Sequence, residues 1–125
     1  MTTLDGPRWV AIVDDEAPVR EALFDLLDEA GFAARVFASG EEFLASGGQR
    51  ECSCLIADIR MPGMSGLDLQ ARLSAERLRI PIIFITAHGD ERMRMQALRS
   101  GAVEFLAKPF DDEVLRDAVR AALER

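Results

Sequence analysis

Asp14 and Asp15 follow the apolar run Trp9–Val13, Asp58 follows Cys54–Ala57, Thr86 follows Ile82–Ile85 and Lys108 follows Val103–Ala107. Only the run Ala33–Phe37 ends blandly, in Ala38. Three carboxylates, a hydroxyl and an ammonium are the parts of a site that handles phosphate. Lys108 is the sole lysine among 15 cationic side chains, the others being arginine. Its compact point charge can lie beside one phosphoryl oxygen, which a broad guanidinium cannot do in the same way. Carboxylates gathered in one pocket repel. A like-charged pair about 4 Å apart costs on the order of 4 kcal/mol at an effective dielectric near 20. Lys108 offsets only part of that, so the pocket calls for a cation. Oxygen ligands from Asp15 and Asp58, with Asp14 acting through water, suit magnesium, and manganese is an alternative. One carboxylate is then free to act as a nucleophile on phosphorus. Asp58 is the best candidate, being single and at the middle run, with Thr86 supplying a hydroxyl to the new phosphoryl group.

The elements between these runs must bring them together. Short apolar runs, rich in β-branched residues and without polar alternation, suit strands buried on both faces. Val19, Ala22, Leu23, Leu26, Leu27 and Ala30 recur at helical spacing, and Gly31 stops that helix. Leu115, Ala118, Val119, Ala122 and Leu123 repeat the pattern near the end of the sequence. Ser39 with Glu42, and Ser65 with Asp68, read as capping boxes, and Asp90 and Asp111 as N-caps. Leu67, Leu69, Ala71 and Leu73 alternate like a strand, but the segment lacks β-branched residues and is rich in helix formers, so it reads as helix. Five β-α units result. Crossovers of this length predict an α/β, flavodoxin-like, doubly wound five-stranded parallel sheet of order 2-1-3-4-5, with helices on both faces. Ligands of such sheets bind at the carboxyl ends of the strands near the switch point, where the residues above converge.

Composition sets the outer limits. The 125 residues predict one domain over 1–125, with its core in 8–124. No apolar run approaches the roughly 20 residues of a membrane span. The N-terminus does not read as a signal peptide, so a cytoplasmic location is expected. A net charge of −7 argues against direct nucleic-acid binding by this domain. Cys52 and Cys54, with one histidine in the chain, are too few for a structural zinc site and read as semi-buried thiols of a reduced protein.

In combination, Val13-Asp14-Asp15-Glu16, the segment Ile56-Ala57-Asp58-Ile59-Arg60-Met61-Pro62-Gly63-Met64-Ser65-Gly66, Ile85-Thr86-Ala87 and Lys108-Pro109-Phe110 resemble the receiver domain of bacterial two-component response regulators. The text around Phe37–Leu44 and Thr86–Asp90 is most similar to the FixJ-like subfamily. The resemblance covers Trp9 to Leu123. It implies a phospho-accepting signalling switch in which Asp58 receives its phosphoryl group from a sensor histidine kinase. Magnesium would be held by Asp15, Asp58 and the carbonyl of Arg60, with Asp14 as metal-side acid, Thr86 as switch hydroxyl and Lys108 as phosphate contact. Such a protein is not an enzyme beyond its own phosphorylation and slow autodephosphorylation.

The aromatic switch position is Phe105, which has no hydroxyl and also reads as an ordinary core residue. His88 reads as a solvated loop residue. The fourth helix, with Met93 and Met95, reads as a mobile interface, and phosphorylation is expected to favour a homodimer through the face formed by the fourth helix, fifth strand and fifth helix. FixJ-like regulators usually continue into a helix-turn-helix, so the chain is either a stand-alone receiver or part of a longer regulator. Two alternatives stay open. One is a magnesium-dependent phosphohydrolase of the haloacid-dehalogenase type, although its D-x-D signature is absent after the first run. The other is a degenerate receiver that acts only by binding.

Overall fold

The computed structural model describes residues 8–87 and 91–124. Five strands, β1 (Trp9–Val13), β2 (Ala33–Phe37), β3 (Cys54–Asp58), β4 (Ile82–Thr86) and β5 (Glu104–Ala107), alternate with five helices. These are α1 (Ala17–Glu29), α2 (Gly40–Ser46), α3 (Gly66–Ala75), α4 (Glu91–Arg99) and α5 (Asp112–Leu123). A single 3-10 turn, Gly48–Arg50, follows α2. The sheet is parallel throughout and ordered β2-β1-β3-β4-β5. The chain therefore reverses its direction of winding between β1 and β3, and a crevice opens at their carboxyl ends.

Alternation along the strands divides the core in two. Val10, Ile12, Ile56, Ile83 and Ile85 meet Leu23 and Leu27 of α1 and Leu115 and Val119 of α5. Ala11, Val13, Leu55, Ala57 and Phe84 meet Phe43 of α2, Leu69 and Leu73 of α3, and Ala97 of α4. Each large side chain buried this way contributes about 1.5–3 kcal/mol. The segment with alternating leucines is helical, and Leu69, Gln70 and Leu73 form its buried face.

Three expectations need correction. Burial on both faces holds for β1, β3 and β4, but β2 exposes Ala33, Arg35 and Val36, and no residue of β5 is fully buried. Both are edge strands, each flanked by a neighbouring strand on one side only. The Ser65–Asp68 capping box is complete, whereas Ser39 accepts from Glu42 N but Glu42 Oε1 accepts from Ala38 N. One residue of offset thus moves the second bond outside the box. Cys54 is buried and Cys52 only partly so, and burial pushes both thiols up to about 12, which keeps them protonated and unreactive. Asp111 caps α5 through bonds from Glu113 N and Val114 N. His88 and the expected cap Asp90 lie outside the described residues. Among the described residues, no helix is long and apolar enough to cross a membrane.

Candidate phosphoacceptor site

The parallel register sets the ends of four strands side by side. Ala57 pairs with Val13, Ile85 with Asp58, and Thr86 with Ala107. The residue after each of β1 and β5, and the last residue of each of β3 and β4, therefore emerge at one edge. There Asp14, Asp58 and Thr86 are buried, at 1%, 6% and 1% exposure. The Lys108 side chain is 15% exposed. Its ammonium lies 3.3 Å from Asp14 Oδ2 and 3.3 Å from Asp58 Oδ2, bridging strands 94 and 50 residues distant in sequence. It also lies 3.7 Å from Glu16 Oε1.

Backbone bonds fix these groups. Asp14 N donates to Phe37 O and its Oδ1 accepts from Glu16 N at 2.9 Å, while Arg20 Nη1 donates to Asp14 O at 2.7 Å. Asp58 Oδ1 accepts from Arg60 N at 3.1 Å. Lys108 N donates to Thr86 O at 2.8 Å, tying the hydroxyl-bearing residue to the ammonium-bearing one. Behind Asp58 the backbone of α3 comes unusually close. A Cβ on Gly66 would stand 2.4 Å from Asp58 O and 2.9 Å from Ile59 Cα, so only glycine fits.

Electrostatics follow from burial. Desolvation raises the Asp58 carboxyl above the ordinary carboxylate range, and the charge of Asp14 adds to this, while the Arg60 N–H and Lys108 work against it. For Lys108 burial is the largest single influence and acts downward. The charges of Asp14 and Asp58, with the hydrogen bonds to both, outweigh it, and the ammonium is held above its usual range. Carboxylate oxygens of Asp14, Glu16 and Asp58 lie within 4.8 Å of one another. One ammonium against three carboxylates leaves an acidic, all-oxygen cluster that fits a hard dication.

The structure thus brings together Asp14, Asp58, Thr86 and Lys108 at one edge. Asp15 is exposed and outside the three-carboxylate group. Arg60, itself exposed, reaches Asp58 through its backbone N–H. Phe105 is half-buried, packs against the α2–α3–α4 half of the core and tilts toward Phe84 at 6.5 Å between ring centroids. Glu16 joins the carboxylate group, and its only signal in the sequence is its place in the acidic triplet Asp14-Asp15-Glu16.

Comparison with known proteins agrees with this geometry. Residues 10–120 match the response regulator receiver domain. The chain is 47% identical over 119 residues to response regulator protein TmoT of Ectopseudomonas mendocina, covering 95% of this chain and 54% of the relative. It is 44% identical over 115 residues to the transcriptional regulatory protein FixJ of Rhizobium meliloti, covering 92% of this chain and 56% of that one. The crystal structure of FixJ-N superposes with a TM-score of 0.86 at 44% identity, covering 94% of each chain. The chain spans about half the length of the curated relatives it matches. A cluster of buried aspartates and one ammonium at the switch point, on a 2-1-3-4-5 sheet, places this chain in the receiver-domain family of response regulators, the phosphoacceptor signalling modules of two-component systems, on its FixJ-like side.

Proposed function

We propose that Asp58 is the residue that accepts the phosphoryl group, with a phosphohistidine of a sensor histidine kinase as donor. The observation that supports this most directly is the Lys108 ammonium, equidistant from Asp14 and Asp58 at the carboxyl edge. An Asp58 oxygen forms the new O–P bond as the donor's P–N bond breaks, and the imidazole leaves with that electron pair. Asp58 Oδ1 is steadied by Arg60 N, so Oδ2, now on Lys108, is the attacking oxygen. Lys108 then donates to a phosphoryl oxygen and Thr86 contributes its hydroxyl. Magnesium or manganese, when bound, neutralises charge on the phosphoryl oxygens. Asp15, Asp58 and the Arg60 carbonyl would hold it, with Asp14 and Glu16 adding to the acidic surround.

A phosphoryl group adds nearly two negative charges and three acceptor oxygens. Drawing Thr86 and Lys108 toward it vacates space into which Phe105 turns, and this shifts the face formed by α4, β5 and α5. That face controls an output partner or a further domain, and favours a homodimer. Moving such an equilibrium from mostly inactive to mostly active takes about 5.5 kcal/mol. One charge-assisted hydrogen bond, at roughly 1.5–3 kcal/mol, is insufficient, so threonine, lysine and metal contacts act together. A cytoplasmic location follows from this role.

Incubation with a small phosphodonor and magnesium, read by intact mass, tests the assignment. Wild type should gain one phosphoryl group, and Asp58→Asn none. Equal labelling of both would sink the role of Asp58. Catalytic turnover of a phosphomonoester would favour the phosphohydrolase, and an unlabelled wild type the degenerate receiver.

A further inference from the structure

Phosphoryl acceptance needs the segment after Asp58 held still, because Arg60 N orients the acceptor carboxylate from within it. That segment, 60–65, is tied at its base by Gly66 N donating to Ile59 O at 2.8 Å, and at its end by the Ser65–Asp68 capping box. Both ties are local. A third comes from the neighbouring β-α unit. Glu41, in the first turn of α2, accepts from Met64 N at 3.1 Å through Oε2. The surroundings are shaped to this contact. Gly63 stands at φ +74, and a Cβ there would come within 2.8 Å of the same Glu41 oxygen. Gly40 lies against Met64, where a Cβ would meet the sulfur at 3.0 Å. Glu42, one residue on, turns the other way and accepts from Ala38 N.

We propose that Glu41 is a positioning residue for phosphoryl acceptance, a latch by which α2 holds the segment 60–65 and so sets the orientation of Asp58 and the place of the Arg60 carbonyl. This rests on the reading of Asp58 as acceptor. The second β-α unit, which delivers no chemical group to the cleft, acts on it through this latch. Glu41 touches neither the phosphoryl group nor the metal. A hydrogen bond of ordinary net strength then predicts an effect of about threefold to tenfold when it is lost.

The test uses wild type, Glu41→Ala, Glu41→Gln and Glu42→Ala. Magnesium is titrated while the amide signals of Arg60 and Met64 are followed by NMR, and labelling by acetyl phosphate is timed separately. Glu41→Ala should weaken magnesium binding and slow labelling, each by about threefold to tenfold. Glu41→Gln keeps an acceptor oxygen and should recover most of both. Glu42→Ala removes an equal charge from the same helix turn and should leave both near wild type while lowering the melting temperature. Wild-type magnesium affinity in Glu41→Ala overturns the latch. So does a loss in Glu41→Gln or Glu42→Ala as large as in Glu41→Ala, since charge rather than the bond would then be at work. Asp58→Asn, run alongside, separates the two readings. Labelling that survives in it overturns the acceptor assignment and the latch with it, whereas its loss beside an unaffected Glu41→Ala overturns the latch alone.

Discussion

The three central strands and the α4–β5 side of the molecule are built to different standards. Every residue of β1, β3 and β4 is buried, and these strands carry or precede Asp14, Asp58 and Thr86. On the other side, α4 buries Ala97 alone and β5 buries none of its four residues fully. Met95 of α4 and Val114 of α5 stand 47% and 46% exposed. Few buried apolar contacts mean a low cost of local opening. On the function proposed above, the contrast separates two tasks. Chemistry needs carboxylates fixed to fractions of an ångström, and a signal needs an element with two arrangements of similar energy. Lys108 belongs to both regions, because it follows the loosely held β5 and reaches into the rigid cleft.

Core truncation should expose the contrast most strongly. Phe84→Ala on β4 is expected to cost about 3–5 kcal/mol in denaturant unfolding, whereas Met95→Ala on α4 should stay within about 0.5 kcal/mol. Equal losses would mean that the α4 side is packed as firmly as the centre. Lys108→Ala comes next. Removing the ammonium leaves Asp14 and Asp58 facing each other within 4.8 Å, a repulsion on the order of 3 kcal/mol at an effective dielectric near 20. Lys108→Arg should retain stability and accept a phosphoryl group, yet leave the amides between Thr86 and Phe105 unmoved on phosphorylation. Wild-type shifts in that variant would contradict the argument from ammonium geometry.

A smaller effect of opposite sign is expected at Asp58, the proposed acceptor. Asp58 is held above the ordinary carboxylate range by burial, so the folded protein binds a proton there more tightly than the unfolded chain. Its ionised form therefore lowers stability, and this loss grows as pH rises from the unfolded value, about 3.9, through the raised folded value. Asp58→Asn should be more stable than wild type at neutral pH, where wild type must keep a desolvated carboxylate ionised. The difference should vanish once both states of wild type are protonated. Thermal unfolding of the pair across pH decides it, and a less stable asparagine variant at neutral pH would refute it. Last comes Thr86→Ala, which should be labelled normally but associate less on phosphorylation, as sedimentation with and without phosphodonor would show. Equal association in both proteins would remove Thr86 from the relay.

Much of the site was legible in the sequence because buried parallel strands announce themselves. An unbroken apolar run such as Cys54–Ala57 can sit only inside the sheet, and the polar residue that ends it marks the carboxyl edge. Strand position within the sheet was harder to see in composition. Ala33–Phe37 is nearly as apolar as β1, and its exposure follows from lying outermost in the order. In the triplet Asp14-Asp15-Glu16, charge alone could not say which side chains turn inward. That is decided by backbone bonds, Asp14 N to Phe37 O and Glu16 N to Asp14 Oδ1, which bury Asp14 and leave Asp15 exposed. Glu41 was illegible for a similar reason, since its partner Met64 N lies 23 residues away and exists as a free donor only once the segment after Asp58 has turned.

Amide hydrogen exchange on the protein before and after phosphorylation tests the division of labour most directly. Before modification, amides of β1 and β3 should exchange far more slowly than those of α4 and β5. After it, changes should concentrate in residues 60–66, α4 and β5, with β1 and the first residues of β3 unaltered. A change of similar size across all five strands, or none at α4 and β5, would contradict a rigid acceptor coupled to a movable face.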